Sequence, residues 1–175
     1  MNQAWLKKDG NASNIRALTG HFNKLGQWVW NEIISTKDIK ERATLLSKFI
    51  SIAKVFLYYF ILNLIFCNLK ECFRLNNYNS CISILSGLQH FTVYRLKKTW
   101  DEIDDKSRDT FEDLSGKLSS KSNWAKYREI LRYHTAPPCL PFLGVYLTDL
   151  VLFTVFNILM IQNYRFLLMK EILIK

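Results

Sequence analysis

NIRALTGHFNKLGQWVWNEIIS, residues 14–35, decides the fold class. Ile15, Leu18, Phe22, Leu25, Val29 and Ile33 recur at steps of three and four, which places them on one face of an α-helix. Gly20 and Gly26 weaken that helix without ending it. Toward the C-terminus, Asp38 and Glu41 stand at capping spacing, and Ala43, Leu46, Phe49, Ile50 and Ala53 make the face of a second helix. Glu71–Gln89 passes from the turn residues Asn76 and Asn77 to Ile82, Leu85 and Leu88. Lys97–Leu118 reads as one charged amphipathic helix with Glu102 and Lys106 as an i,i+4 pair. Lys121–His134 reads as another, with Trp124, Tyr127, Ile130 and Leu131 on one side. No run of alternating β-branched residues occurs anywhere, so the class is all-α.

Two stretches break this texture. VFLYYFILNLIFCNL (55–69) is apolar on every side but shorter than the roughly 20 residues a membrane span needs. From Val151 a second apolar run leads to a basic end, and neither run has an amphipathic face. Between the last charged helix and that run lies HTAPPCLPFLGVYLTDL, residues 134–150, which holds all three prolines of the chain. Pro137 and Pro138 must end the preceding helix, and Pro141 makes a rigid elbow that presents Phe142.

Composition narrows the function classes. A length of 175 residues is one domain's worth, large enough to bury a core. The net charge of +9 raises nucleic acid as a partner, but the basic residues are scattered around DEIDDKSRD rather than gathered in a stripe. A solvated charged surface fits better, and no nucleic-acid partner is expected. Cys67, Cys72, Cys81 and Cys139 form no CxxC pair and meet no histidine cluster, which excludes a zinc motif and leaves them as reduced packing residues. MNQAWLKKDG has no apolar leader, so the expected setting is cytoplasmic and the Asn11 sequon unmodified. His21, His90 and His134 have no nucleophile or acid arranged with them, and no hydrolytic chemistry is assigned.

WLKKDG, NIRALTGHFNKLGQWVWNEII, ERATLLSKFISIAK, LNNYNSCISILSGLQHFTVYRLKKTW, NWAKYREIL and PPCLPFLGVYLTDL together resemble, in order and spacing, successive blocks of the catalytic domain of Ras-type guanine-nucleotide exchange factors (RasGEF). The resemblance runs from about Trp5 to Val151 and implies a helical RasGEF-like bundle. It divides the chain into a first part, 1–54, an apolar insertion, 55–70, a continuation, 71–151, and a divergent tail, 152–175. Deleting 55–70 joins Lys54 to Glu71 and restores FISIAKECFRLNNYN, a continuous helix of the family's kind. The insertion therefore reads either as a translated intron of an AT-rich gene or as an apolar membrane anchor.

The resemblance implies a regulator of a Ras-family small GTPase that promotes GDP release. It implies no cofactor of its own, since nucleotide and magnesium belong to the partner. The place of action it implies is the inner face of the plasma membrane, reached indirectly through a lipidated GTPase. By the same resemblance Phe142 and Ile82 sit at the hydrophobic GTPase-binding centre, with Asn23, Ser86, Trp124, Gly144 and Thr148 around them. Gly144 is expected to let backbones approach, and Thr148 to share a side with Val145 and Leu152. Arg95 is expected to be a buried structural donor, and Thr19 replaces the apolar contact usual in the family. The family opens its GTPase with a helical hairpin after the LTDL block, and LVLFTVFNILM stands there instead. Family domains also carry helices ahead of the Trp5 block. The expectation is thus a partial domain, with the hairpin missing. Three readings stay open: an exchange factor, a GTPase-binding pseudo-domain or scaffold without exchange activity, and a protein anchored directly to membrane by 55–69.

Overall fold

A computed structural model describes residues 13–62, 76–135 and 139–173, and side chains over 13–55, 76–133, 135 and 139–162. The WLKKDG block, Cys67, Cys72, most of the 55–70 insertion and Pro137–Pro138 lie outside the described residues or side chains. Helix α1 spans Ser13–Ser35 and α2 spans Ile39–Leu62. A two-residue strand β1, Asn76–Asn77, leads into α3, Tyr78–Leu88. Short helices α4 (Phe91–Tyr94) and α5 (Lys97–Asp101) precede α6, Asp105–Lys117. Helix α7, Lys121–Glu129, runs on as a π-helical turn over Ile130–His134, and strand β2, Cys139–Leu140, precedes α8, Leu143–Leu173.

The expected faces of α1 and α2 are the ones that pack. Asp38 caps α2, its Oδ1 accepting the amides of Lys40 and Glu41, both at 2.9 Å. Ala43, Leu46, Phe49, Ile50 and Ala53 are all buried. On α1 burial deepens along the helix, from half-buried Ile15, Leu18, Phe22 and Leu25 to fully buried Val29 and Ile33. Both helices pack against α3, which is the centre of the molecule: every residue from Tyr78 to Leu85 is buried, as are Gly87 and Leu88. Asn77 caps α3 by accepting the Ser80 amide at 2.9 Å. Helix α2 continues through the Lys54–Val55 junction without a break and reaches Leu62.

Three expectations change. The Lys97–Leu118 segment is two helices, because Ile103 turns into the core and Asp104 caps a new start, accepting the Ser107 amide at 2.8 Å. Glu102 and Lys106 therefore fall on different sides of the break and form no ion pair. Arg95 is exposed. Structural donors of that kind include Arg42, whose Nε donates to Thr99 at 2.8 Å, and Arg108, which donates to the Trp100 carbonyl at 2.9 Å. Strand does occur, as the short parallel pairing of β1 with β2 that ties the elbow to the start of α3.

Candidate functional site

The site grows from the crossing of α1 over α3. A Cβ added to Gly87 would lie 2.5 Å from the Gly26 carbonyl oxygen and 2.8 Å from Val29 Cβ. Only glycine lets these two backbones come so close. Ser83 Oγ seals the crossing by donating to the Phe22 carbonyl at 2.5 Å. Ser86, alone among the residues of α3, is exposed. Ser86 and exposed Asn23 line one shallow groove of about 170 Å³, with Phe22 at one end and Trp30 and His90 at the other. The Trp30 and His90 rings stack at 4.6 Å, 12° from parallel.

At the Phe22 end the groove runs into an aromatic cluster. The Phe142 ring lies 5.1 Å from Phe22 and 5.2 Å from Trp124, both in tilted geometry favoured by ring quadrupoles. All three rings are half-buried, so the cluster is held from behind and open in front. The Phe142 amide donates to the Tyr127 hydroxyl at 2.7 Å. Tyr127 is fully buried, and burial pushes its pKa up, so the hydroxyl stays protonated. Gly144 leaves room for the Phe142 ring: a Cβ there would fall 2.7 Å from Phe142 Cε1 and closer still to Cζ. The space that Gly144 opens is therefore filled by the neighbouring ring and not by an approaching backbone.

Trp124 reaches the cluster from an unusual backbone. Ser122, Asn123 and Trp124 all have positive φ, at 51°, 54° and 61°. Left-handed L-residues cost about 1–2 kcal/mol each, and only surrounding contacts hold them. Arg128 supplies those contacts. Its Nε donates to the Asn123 carbonyl at 2.8 Å, while its two terminal nitrogens grip the Asp149 carboxylate, each at 2.8 Å. One guanidinium thus fixes the Trp124 turn and ties it to the first turns of α8.

Of the residues named from the sequence, Asn23, Ser86, Trp124, Phe142 and Gly144 fall on this continuous surface. Ile82 is 6% exposed and belongs to the core one turn behind Ser86. Thr148 is exposed on α8, its Oγ1 donating to the Gly144 carbonyl at 2.9 Å. By spacing it shares a side of α8 with Val145 and Leu152, and burial fades along that side from buried Val145 to exposed Thr148 and Leu152. Thr19 donates to the Ile15 carbonyl at 2.8 Å and is exposed. Phe22 and Tyr127 read from the sequence only as apolar-face residues, and the Arg128–Asp149 pair carries no sequence reading of its own. Asp149 is the one charge in PFLGVYLTDL, whereas Arg128 is one of three in NWAKYREIL, so spacing alone does not mark the pair. Among the described residues no group of three His, Cys, Asp or Glu side chains gathers to hold a metal ion. The arrangement is a contact surface of rings, amide and hydroxyl groups, suited to recognition by burial.

Comparison with known proteins adds the family. Residues 1–171 match the RasGEF domain model. The chain is 38% identical over 154 residues to Ras guanine nucleotide exchange factor E of Dictyostelium discoideum, covering 86% of this chain and 13% of that protein. It is 35% identical to cell division control protein 25 of Saccharomyces cerevisiae, over 86% of this chain and 9% of that protein. It is 36% identical to Ras-specific guanine nucleotide-releasing factor RalGPS1 of Mus musculus, over 84% of this chain and 23% of that protein. The chain therefore spans less than a quarter of the length of each of these relatives.

Proposed function

The chain belongs to the RasGEF domain family, and from that premise we propose that it binds a Ras-family small GTPase and promotes release of the bound GDP. The observation that carries the reading is the Phe142 ring, its backbone held by Tyr127, seated over Gly144 and flanked by Phe22 and Trp124. A rigid aromatic anchor, half open and continued through Phe22 into the groove of Asn23 and Ser86, is the form in which interface energy concentrates. Exchange of this kind needs no covalent step and no cofactor of the chain's own. Binding energy that is larger for the nucleotide-free GTPase shifts the partner's population toward the empty state. The reading places the protein in the cytoplasm, at the inner face of the plasma membrane where its partner works.

The test is release of a fluorescent GDP from a Ras-type GTPase. The chain is expected to accelerate release. Phe142→Ala is expected to weaken GTPase binding by more than about 2 kcal/mol, roughly thirtyfold in Kd, with far-ultraviolet circular dichroism unchanged. Equal binding by a folded Phe142→Ala protein removes the ring from the site. One observation favours a second reading, a GTPase-binding scaffold: α8 runs as a single helix from Leu143 to Leu173, without the turn of a hairpin. Binding that depends on Phe142 but leaves GDP release at its basal rate supports the scaffold.

A further inference from the structure

We propose that the Leu150–Ile161 stretch of α8 inserts into the acyl-chain region of a phospholipid bilayer. Leu152, Phe153, Phe156, Leu159, Met160 and Ile161 are each between 54% and 61% exposed. At 100° per residue, these side chains together with Leu150, Val155 and Ile158 occupy the whole circumference of the helix. A protein groove would take up one face and leave the others in water, whereas an acyl-chain solvent covers all of them. From Leu150 to Ile161 Thr154 alone is buried in the molecule, so this stretch is no core helix. The exposed run Leu150–Ile161 extends about 18 Å at 1.5 Å per residue, long enough to enter a hydrocarbon layer of about 30 Å without crossing it.

The polar groups in the stretch behave as that solvent demands. From Leu150 to Ile161 the only polar side chains are Thr154 and Asn157. Thr154 Oγ1 donates to the Leu150 carbonyl at 2.7 Å, and Asn157 Nδ2 to the Phe153 carbonyl at 2.9 Å. Each returns one donor to its own helix four residues back, which lowers the cost of taking that group out of water. The last charge before the run, Asp149, is engaged by Arg128. After it, Arg165 and Lys170 follow in the sequence, and basic flanks match anionic headgroups. The inference stands apart from the exchange reading and from the 55–69 stretch.

The experiment is flotation of the full chain with phosphatidylcholine–phosphatidylserine vesicles, with and without a high-salt wash. The wild-type chain is expected to float and to stay bound after the wash. A triple variant, Phe153→Gln, Phe156→Gln and Leu159→Gln, removes exposed side chains that the core does not use. Its floated fraction is expected to fall at least about tenfold. Hydrogen exchange of the wild-type chain needs no substitution: amides of residues 150–161 are expected to gain protection when vesicles are added. Recovery of the wild-type chain in the aqueous fractions as a discrete dimer overturns the inference in favour of a second copy. So do equal flotation of the triple variant, loss of all binding in the high-salt wash, and unchanged exchange.

Discussion

At the scale of single residues, Phe142 is held by groups that never need to touch a partner. Tyr127 fixes its backbone and Gly144 gives its ring a seat. Gly144→Ala consequently separates position from stability. The added methyl meets the far end of the Phe142 side chain, which swings away while the backbone stays where it is. Global stability is expected to change by less than about 1 kcal/mol, because alanine also favours helix. GTPase affinity is expected to drop roughly tenfold, the worth of the displaced ring contacts. Urea unfolding and calorimetric titration check the two halves. Of the groups around the ring, Trp124 and Gly144 stand in the family resemblance, whereas Phe22 and Tyr127 do not. The roles of Arg128 and Phe22 were not legible, since what each does depends on partners brought from 21 residues away (Asp149) and from the elbow. Phe22 in particular has the spacing of an ordinary core residue.

At the scale of elements, the two glycines of the helix crossing and the glycine at mid-helix carry opposite expectations. Gly87→Ala sets a methyl against the Gly26 carbonyl, which is backbone and cannot move aside, so α1 and α3 must separate. A loss of about 1–3 kcal/mol is expected, read as a lower urea midpoint. Gly20→Ala on α1 meets nothing within 4 Å and is expected to gain up to about 1 kcal/mol. The start of α6 gives a pH signature. Hydrogen bonds from the Ser107 hydroxyl and amide hold the Asp104 carboxyl below its usual value. Its folded pKa is lower than its unfolded one, so the stabilisation is complete above the ordinary carboxylate range and is lost as pH falls through the lowered value. The acid-side fall in urea midpoint is expected to be shallower in Asp104→Asn, which keeps an acceptor but does not titrate there. The faces of α1 and α2 could be read directly because apolar spacing alone fixes them. The break before α6 could not, since an aspartate in DEIDD serves equally as a helix residue or a cap until Ile103 is drawn into the core.

At the scale of the whole molecule, α3 is wrapped by α1 and α2 and locked at its start by the β1–β2 pairing. Burial there raises the Cys81 thiol to about 12, so it stays neutral packing. Stability is expected to be graded outward from this helix. In amide exchange, peptides covering 78–88 are expected to be the slowest of the chain, and faster exchange there than in α6 would contradict a central α3. The elbow, the Trp124 turn and the root of α8 form a second layer, joined through Tyr127 and Arg128. The Ser122–Trp124 turn in that layer has a chemical consequence. Its three residues sit in the mirror image of the ordinary helical conformation, which is the resting geometry of D-amino acids. A semisynthetic chain with D-serine and D-asparagine at 122 and 123 would relax there, and the indole that follows would reach Phe142 with less help from the guanidinium behind it.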